Sequence, residues 1–260
     1  MSPGGDGAQR SSTLDRRPVL VVVADSLAFH GPDRAEPADE PRLWPHVAAR
    51  AVGGRAELHA GLGWTARHAW RAMVGDPRIW ASLRSADAVV LGVGGMDTLP
   101  SPVPTALREL IPAVRPAALR RALRDGHAWL PPRAARVLGA AGPVALSPGE
   151  TVRHLERLRV AVTTLIPGLP VVGMLPAMHR APFYAGVHAG RERHVAVMTA
   201  WACAHDVTLV DPAPLVADHV LGGHGNPDGI HWGWAGHAAV GGAVGRAVGD
   251  ALGHRCPGEG

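Results

Sequence analysis

Four short, valine-rich apolar runs constrain this chain more than any other feature: Val19–Ala24, Ala88–Gly92, Val171–Leu175 and Val207–Val210, each bounded by Gly, Pro or Asp. Continuous runs of this length, with no polar residue at alternate positions, suit strands buried on both faces of a parallel sheet. A fifth strand is expected at Arg55–Ala60. Between the runs lie Leu43–Val52, Thr65–Val74, Thr151–Leu165, Arg191–His205 and Trp234–Leu252, with apolar residues three and four apart, as on one face of a helix. Strands alternating with helices argue for parallel βαβ units. The expected architecture is a three-layer α/β/α sandwich around a five-stranded parallel sheet.

A chain of 260 residues can bury the core of one such domain, expected over residues 18–252. Residues 1–17 and 253–260 are Gly-, Ser- and Arg-rich without an apolar face and read as flexible tails. Nine prolines between Thr98 and Glu150 interrupt any long helix there, and the same stretch carries Arg115, Arg120, Arg121, Arg124, Arg133 and Arg136. An irregular insertion of that length reads as a lid or binding element; a solvated arginine face is the alternative.

All 26 basic residues are arginines, yet the formal charge is only +4 and no run of five like charges occurs, which excludes a nucleic-acid footprint. Cys203 and Cys256 form no CxxC arrangement, so neither a disulfide framework nor a zinc ribbon is expected. The first apolar run is too short to span a bilayer and lacks the layout of a secretory signal. A cytoplasmic protein without integral membrane association is expected. His59, His68, His179, His188 and His194 have no carboxylate or Cys partners at ligand spacing, so no metal site is expected.

Reactive groups in open parallel sheets gather beyond the carboxyl ends of the strands. There the chain places Ala24-Asp25-Ser26-Leu27 and, near its far end, Asn226-Pro227-Asp228-Gly229-Ile230-His231-Trp232. A serine hydroxyl becomes nucleophilic when an imidazole takes its proton, and an acceptor on the other ring nitrogen fixes the tautomer. An Asp three residues before a His supplies that acceptor. Either block alone is weak: a serine after a strand also serves as a helix N-cap, and the chain holds 15 histidines.

Together the blocks resemble the SGNH (GDSL-type) hydrolase superfamily, with alanine where its first block has glycine. The resemblance implies a flavodoxin-like sheet, Ser26 as nucleophile, His231 as general base and acid, and Asp228 as its orienting carboxylate. It also implies an oxyanion hole drawing on the backbone N–H groups of Ser26 and Gly63, the latter within Gly61-Leu62-Gly63-Trp64-Thr65. The third block, usually Gly-x-Asn-Asp, reads Gly94-Gly95-Met96-Asp97. A thioether cannot donate a hydrogen bond, so either a backbone N–H between Gly95 and Asp97 stands in or the acyl chemistry is specialised or lost. Met96 is a candidate acyl-chain contact, with core filling as the alternative.

The stretches 25–32, 94–101, 104–111 and 225–232 are similar to those of a group of sugar octanoyltransferases within that superfamily, Met in the third block included. This implies transfer of an octanoyl group from octanoyl-CoA, as donor substrate, to a glucose hydroxyl of diglucosylglycerate in methylglucose lipopolysaccharide assembly. No prosthetic group is implied. Transfer to an alcohol in water calls for a covered, apolar site, which makes Trp64, Trp129, Trp232 and Trp234 of interest. Trp64, Met96, Asp97 and Trp232 are the candidate substrate contacts, and the insertion's arginines suit anionic groups on either substrate. An esterase or thioesterase that gives the acyl group to water, a non-catalytic binding module and a peripheral membrane protein remain alternative readings; oligomeric state is not encoded in any feature.

Overall fold

The computed structural model describes residues 16–101 and 142–253, with Arg133 and Val137 between them. Five parallel strands form one sheet: β1 (Val19–Asp25), β2 (Arg55–Gly61), β3 (Ala88–Gly92), β4 (Val171–Met174) and β5 (Thr208–Val210), in spatial order β2-β1-β3-β4-β5. Seven helices accompany them among the described residues: α1 (Trp44–Ala51), α2 (Ala66–Gly75), α3 (Pro77–Leu83), α4 (Pro148–Leu165), α5 (Arg191–Ala204), α6 (Ala213–Leu221) and α7 (Trp234–Gly253).

All seven residues of β1 are buried, because the strand sits between β2 and β3 and is covered on both faces. Val19, Val21 and Val23 join a core with Ala69 and Met73 of α2, Leu83 of α3, Leu158 of α4 and Trp201 of α5. Leu20, Val22 and Ala24 face the opposite core, with Ala48 of α1, Val216 of α6 and Val240, Val244 and Val248 of α7. Successive side chains of a strand point to opposite faces, so an unbroken apolar run is what this position needs. The expected three-layer sandwich is therefore the observed fold.

Two helices went unforeseen, although the chain signals one of them clearly. Asp76 caps α3, its carboxylate accepting the Arg78 N–H at 2.9 Å, and Pro77 takes the first helical position, a combination that starts helices. The other, α6, follows Pro212. Helix α4 begins three residues before the expected Thr151, because Ser147 and Glu150 form a reciprocal capping box around Pro148. Most of the proposed lid, residues 102–141, lies outside the described residues, as do Trp129 and tails 1–15 and 254–260. Arg16 pairs with Asp87 at 2.7 Å.

Helices α1 and α7 approach closely through glycine. A Cβ on Gly245 would lie 2.6 Å from the Ala51 Cβ, whereas one on Gly249 would meet Val52 Cγ1 at an ordinary 3.6 Å. Alanine normally gains about 1 kcal/mol over glycine inside a helix, and overpacking costs roughly 1–3 kcal/mol. Gly249→Ala is thus expected to raise stability and Gly245→Ala to lower it, as measured by chemical denaturation. Equal gains from both would contradict the close approach.

Candidate active site

The order β2-β1-β3-β4-β5 places a reversal of winding between β1 and β3, and the crevice at their carboxyl ends is where such sheets bind ligands. Ser26 follows β1 immediately, opening a short 3-10 turn over Ser26–Ala28. Its hydroxyl lies 2.9 Å from His231 Nε2, although the two residues are 205 positions apart. On the other side of the ring, His231 Nδ1 meets Asp228 Oδ2 at 2.5 Å. The three expected residues are therefore joined in the order Ser26, His231, Asp228.

The loop carrying two of them is fixed by its own polar groups. The Asn226 side chain accepts the Asp228 N–H at 2.9 Å, and Asp228 Oδ1 accepts the N–H groups of Ile230 and His231 at 2.8 and 3.1 Å. The Asn226 N–H in turn reaches the His231 carbonyl. Gly229 adopts φ +74°, and any Cβ there would sit 2.9 Å from the Ala181 nitrogen, so only glycine fits. Its carbonyl accepts the Arg180 N–H. Asn226 was not singled out from the sequence; the Asn-Pro pair, a turn-starting signal, was the available clue.

Burial tunes these groups. Burial pushes the His231 pKa below the ordinary histidine value, Asp228 pulls it back up, and the charge of His30 pushes it down again. Burial alone would raise Asp228, but the N–H groups of Ile230 and His231 together with the imidazole hold it below the usual carboxylate range. A base kept neutral and oriented by an ionised carboxylate suits abstraction of the Ser26 proton.

Gly63 stands at φ +67°, and its N–H makes no hydrogen bond among the described residues. The thioether of Met96 lies over it, 3.8 Å from where a Gly63 Cβ would be. Met96 packs with Leu99, Ala181, Tyr184 and Ile230 in a small apolar cluster. Trp64 is half-buried, its indole folded against Gly61 so closely that a Cβ there would fall 1.9 Å from Nε1.

Two of the expected substrate contacts are fully buried, and Ser26 and His231 are also largely buried. Trp232 is 0% exposed and packs in the core on the α7 side, where it lines a space of about 20 Å³ together with Asp25, Leu27 and Gly95. Asp97 is likewise fully buried. It accepts the Ala66 N–H at 3.0 Å and the Thr151 hydroxyl at 2.7 Å, tying the third block to the starts of α2 and α4. Polar residues of these types at a strand end look the same in sequence whether they face a ligand or brace a loop.

A hollow of about 580 Å³ opens at the amino ends of β4 and β5, between Arg159, Pro170, Asp206 and Asp250, at the far end of the sheet from Ser26. Beside the Ser26–His231 pair, two small spaces are lined by described residues. One of about 30 Å³ is lined by Asp25, Leu27, Met96, Leu99, His179 and Ile230 among others. The reacting groups rather than the volume mark the site. No group of three or more His, Cys, Asp or Glu suited to a metal occurs among the described residues, and no described helix is long and apolar enough to cross a membrane.

No protein-family model matches the chain. Two curated proteins do: diglucosylglycerate octanoyltransferase of Mycobacterium tuberculosis, 49% identical over 230 residues (88% of this chain, 92% of that protein), and the protein of the same name from Mycolicibacterium hassiacum, 49% identical over 225 residues (86% and 92%). Among solved structures the fold resembles a lipase/acylhydrolase from Enterococcus faecalis, at TM-score 0.58 and 14% identity over 94% of this chain and all of that one. It also resembles an aryl esterase from M. smegmatis, at TM-score 0.56 and 18% identity over 90% and 99%.

Asp25 and Asp97 supply a test of the buried electrostatics. Burial lifts Asp25 to about 7 and Asp97 to about 6, and the charge of Asp97 adds to the rise at Asp25. Both acids hold protons more tightly folded than unfolded, so their contribution to stability is lost as pH rises from about 4 to about 7. Asp25→Asn should leave stability near parental at about pH 4 and raise it at about pH 8, read from denaturation midpoints. A parental slope across that interval would rule out burial of Asp25 as its cause.

Proposed function

The chain belongs to the diglucosylglycerate octanoyltransferase family, acyltransferases of SGNH fold, and we propose that it moves an octanoyl group from octanoyl-CoA to a glucose hydroxyl of diglucosylglycerate through an acyl-enzyme on Ser26. One observation carries the mechanism: the continuous contact from the Ser26 hydroxyl through His231 to Asp228.

Ser26 Oγ gives its proton to His231 Nε2 as it adds to the thioester carbonyl. The oxyanion is met by backbone N–H groups of Ser26 and Gly63. The CoA thiol leaves with the proton from His231, and the octanoyl ester remains on Ser26. A glucose hydroxyl then attacks the ester carbonyl, passing its proton to His231, which returns it to Ser26 as the sugar ester departs. Asp228 holds the imidazole in the tautomer that both halves need and stabilises the imidazolium between them.

Met96 cannot donate to the oxyanion through its side chain. The Met96 and Asp97 N–H groups make no hydrogen bond among the described residues, which supports a backbone donor in place of the asparagine usual at this block. The thioether, packed with Leu99, Tyr184 and Ile230, lines an apolar approach suited to an alkyl chain. Anionic groups of CoA and of the glycerate are assigned to arginines of the insertion. No metal or prosthetic group takes part in these steps. Use of a CoA thioester and an intermediate of methylglucose lipopolysaccharide assembly fits a cytoplasmic location.

Ser26→Ala is expected to abolish octanoyl transfer with the fold intact by circular dichroism, and Asp228→Asn to slow it by roughly 10³–10⁴-fold through the wrong tautomer; unchanged transfer in Ser26→Ala would sink the assignment. Transfer and hydrolysis separate in a competition assay. Adding diglucosylglycerate should suppress release of free octanoate and replace it with sugar ester. Octanoate formed at one rate with and without the sugar would establish a thioesterase instead.

A further inference from the structure

His231 has a fourth neighbour besides Ser26, Asp228 and the chain that carries it. The imidazole of His30 lies flat on that of His231, with ring centroids 3.9 Å apart and planes inclined by 18°. His30 is not free to choose this pose. Its Nδ1–H donates to the Gly31 carbonyl at 2.9 Å, which fixes the ring. Its backbone carbonyl accepts from His237 Nε2 at 3.0 Å, and His237 Nδ1 accepts the Trp44 N–H at 3.1 Å. An imidazole that accepts on one nitrogen and donates on the other is neutral, and burial keeps His237 that way, with its pKa lowered to about 4. The first residue of α1 thus holds His237 of α7, which holds the His30 backbone, which sets the His30 ring upon His231.

We propose that His30 is a positioning residue of the reaction: stacked on His231, it holds the base in the plane that joins Ser26 to Asp228 and opposes positive charge on that ring. The proposal rests on the reading of Ser26 and His231 as nucleophile and base. The stack covers one face of the imidazole, which helps to keep His231 only 7% exposed. It also sets two ionisable rings face to face, where a proton on one disfavours a proton on the other. Among the described residues, the titratable groups around His231 are Asp228 at Nδ1, His30 on the ring face and His237 within electrostatic reach; His219 of α6 acts on His237 in turn. Of these, Asp228 favours the imidazolium, and the His30 charge works against it.

The test reads the base without assuming either substrate. Ser26 is labelled with a fluorophosphonate, and the rate is followed from about pH 4 to about pH 8 in the parent, His30→Phe and His30→Ala. Phenylalanine keeps an aromatic plane on His231 and removes the charge. Its acid limb should therefore move to higher pH by about half a unit or more, the scale of a like charge about 4 Å away even in a high dielectric. Alanine removes the support as well, and labelling at neutral pH should fall about tenfold or more, with phenylalanine restoring most of that loss. His30→Gln, planar and uncharged, is read in the same way should phenylalanine prevent folding. An acid limb in the uncharged variants that coincides with the parental one overturns the proposal. Labelling of Ser26→Ala at the parental rate would instead show that the nucleophile was misassigned.

Discussion

Burial of β1 from both sides is the constraint on which the site depends. A strand between two neighbours, with a helical layer on each face, has no freedom to slip, because a shift of one residue would exchange the side chains that fit its two separate cores. The register pairs Ala24 with Ala60 on one side and Gly92 on the other. Ser26 therefore emerges at the same level as the ends of β2 and β3. The second and third blocks begin there, and Gly63 and Met96 meet above the crevice. His231 arrives from the opposite end of the chain on a loop that is rigid through its own hydrogen bonds.

The price of this arrangement is a set of buried polar groups. Asp25 and Asp97 sit under the crevice with their ionisation disfavoured, and Asp97 accepts hydrogen bonds from two helix starts. A carboxyl in such a place braces loops from α2, β3 and α4 into one frame. The histidines behave similarly. His237 and His219 act as neutral acceptors for the N–H groups of Trp44 and Gly233, which ties α7 to the start of α1 and α6 to the segment that presents His231.

The sandwich was legible because β1, β3 and β4 are short, valine-rich apolar runs buried along nearly their whole length, while the edge strands β2 and β5 are only partly buried. The meeting of Ser26, Asp228 and His231 was legible from the resemblance of their two blocks to a known pattern, and the structure brings the three side chains into contact. The burial of Trp232 and Asp97 was not legible, since a core tryptophan and an exposed one, or a bracing carboxylate and an exposed one, share the same letters. His30 was hidden for another reason. It is one of 15 histidines, and its contact with His231 crosses 201 positions through a stack that no periodicity encodes. The start of α4 is written in the sequence as Ser-Pro-Gly-Glu, a capping box that precedes the apolar pattern by about one turn.

The proposed acyl-enzyme mechanism requires an octanoyl group on Ser26 between donor and acceptor. Mass spectrometry of the protein after brief exposure to octanoyl-CoA measures this directly. An octanoyl mass is expected on the peptide containing Ser26, absent in Ser26→Ala and discharged on addition of diglucosylglycerate as the sugar ester appears. Sugar ester formed with no acyl mass on that peptide at any time, or an acyl mass on another residue that the sugar discharges, would contradict it.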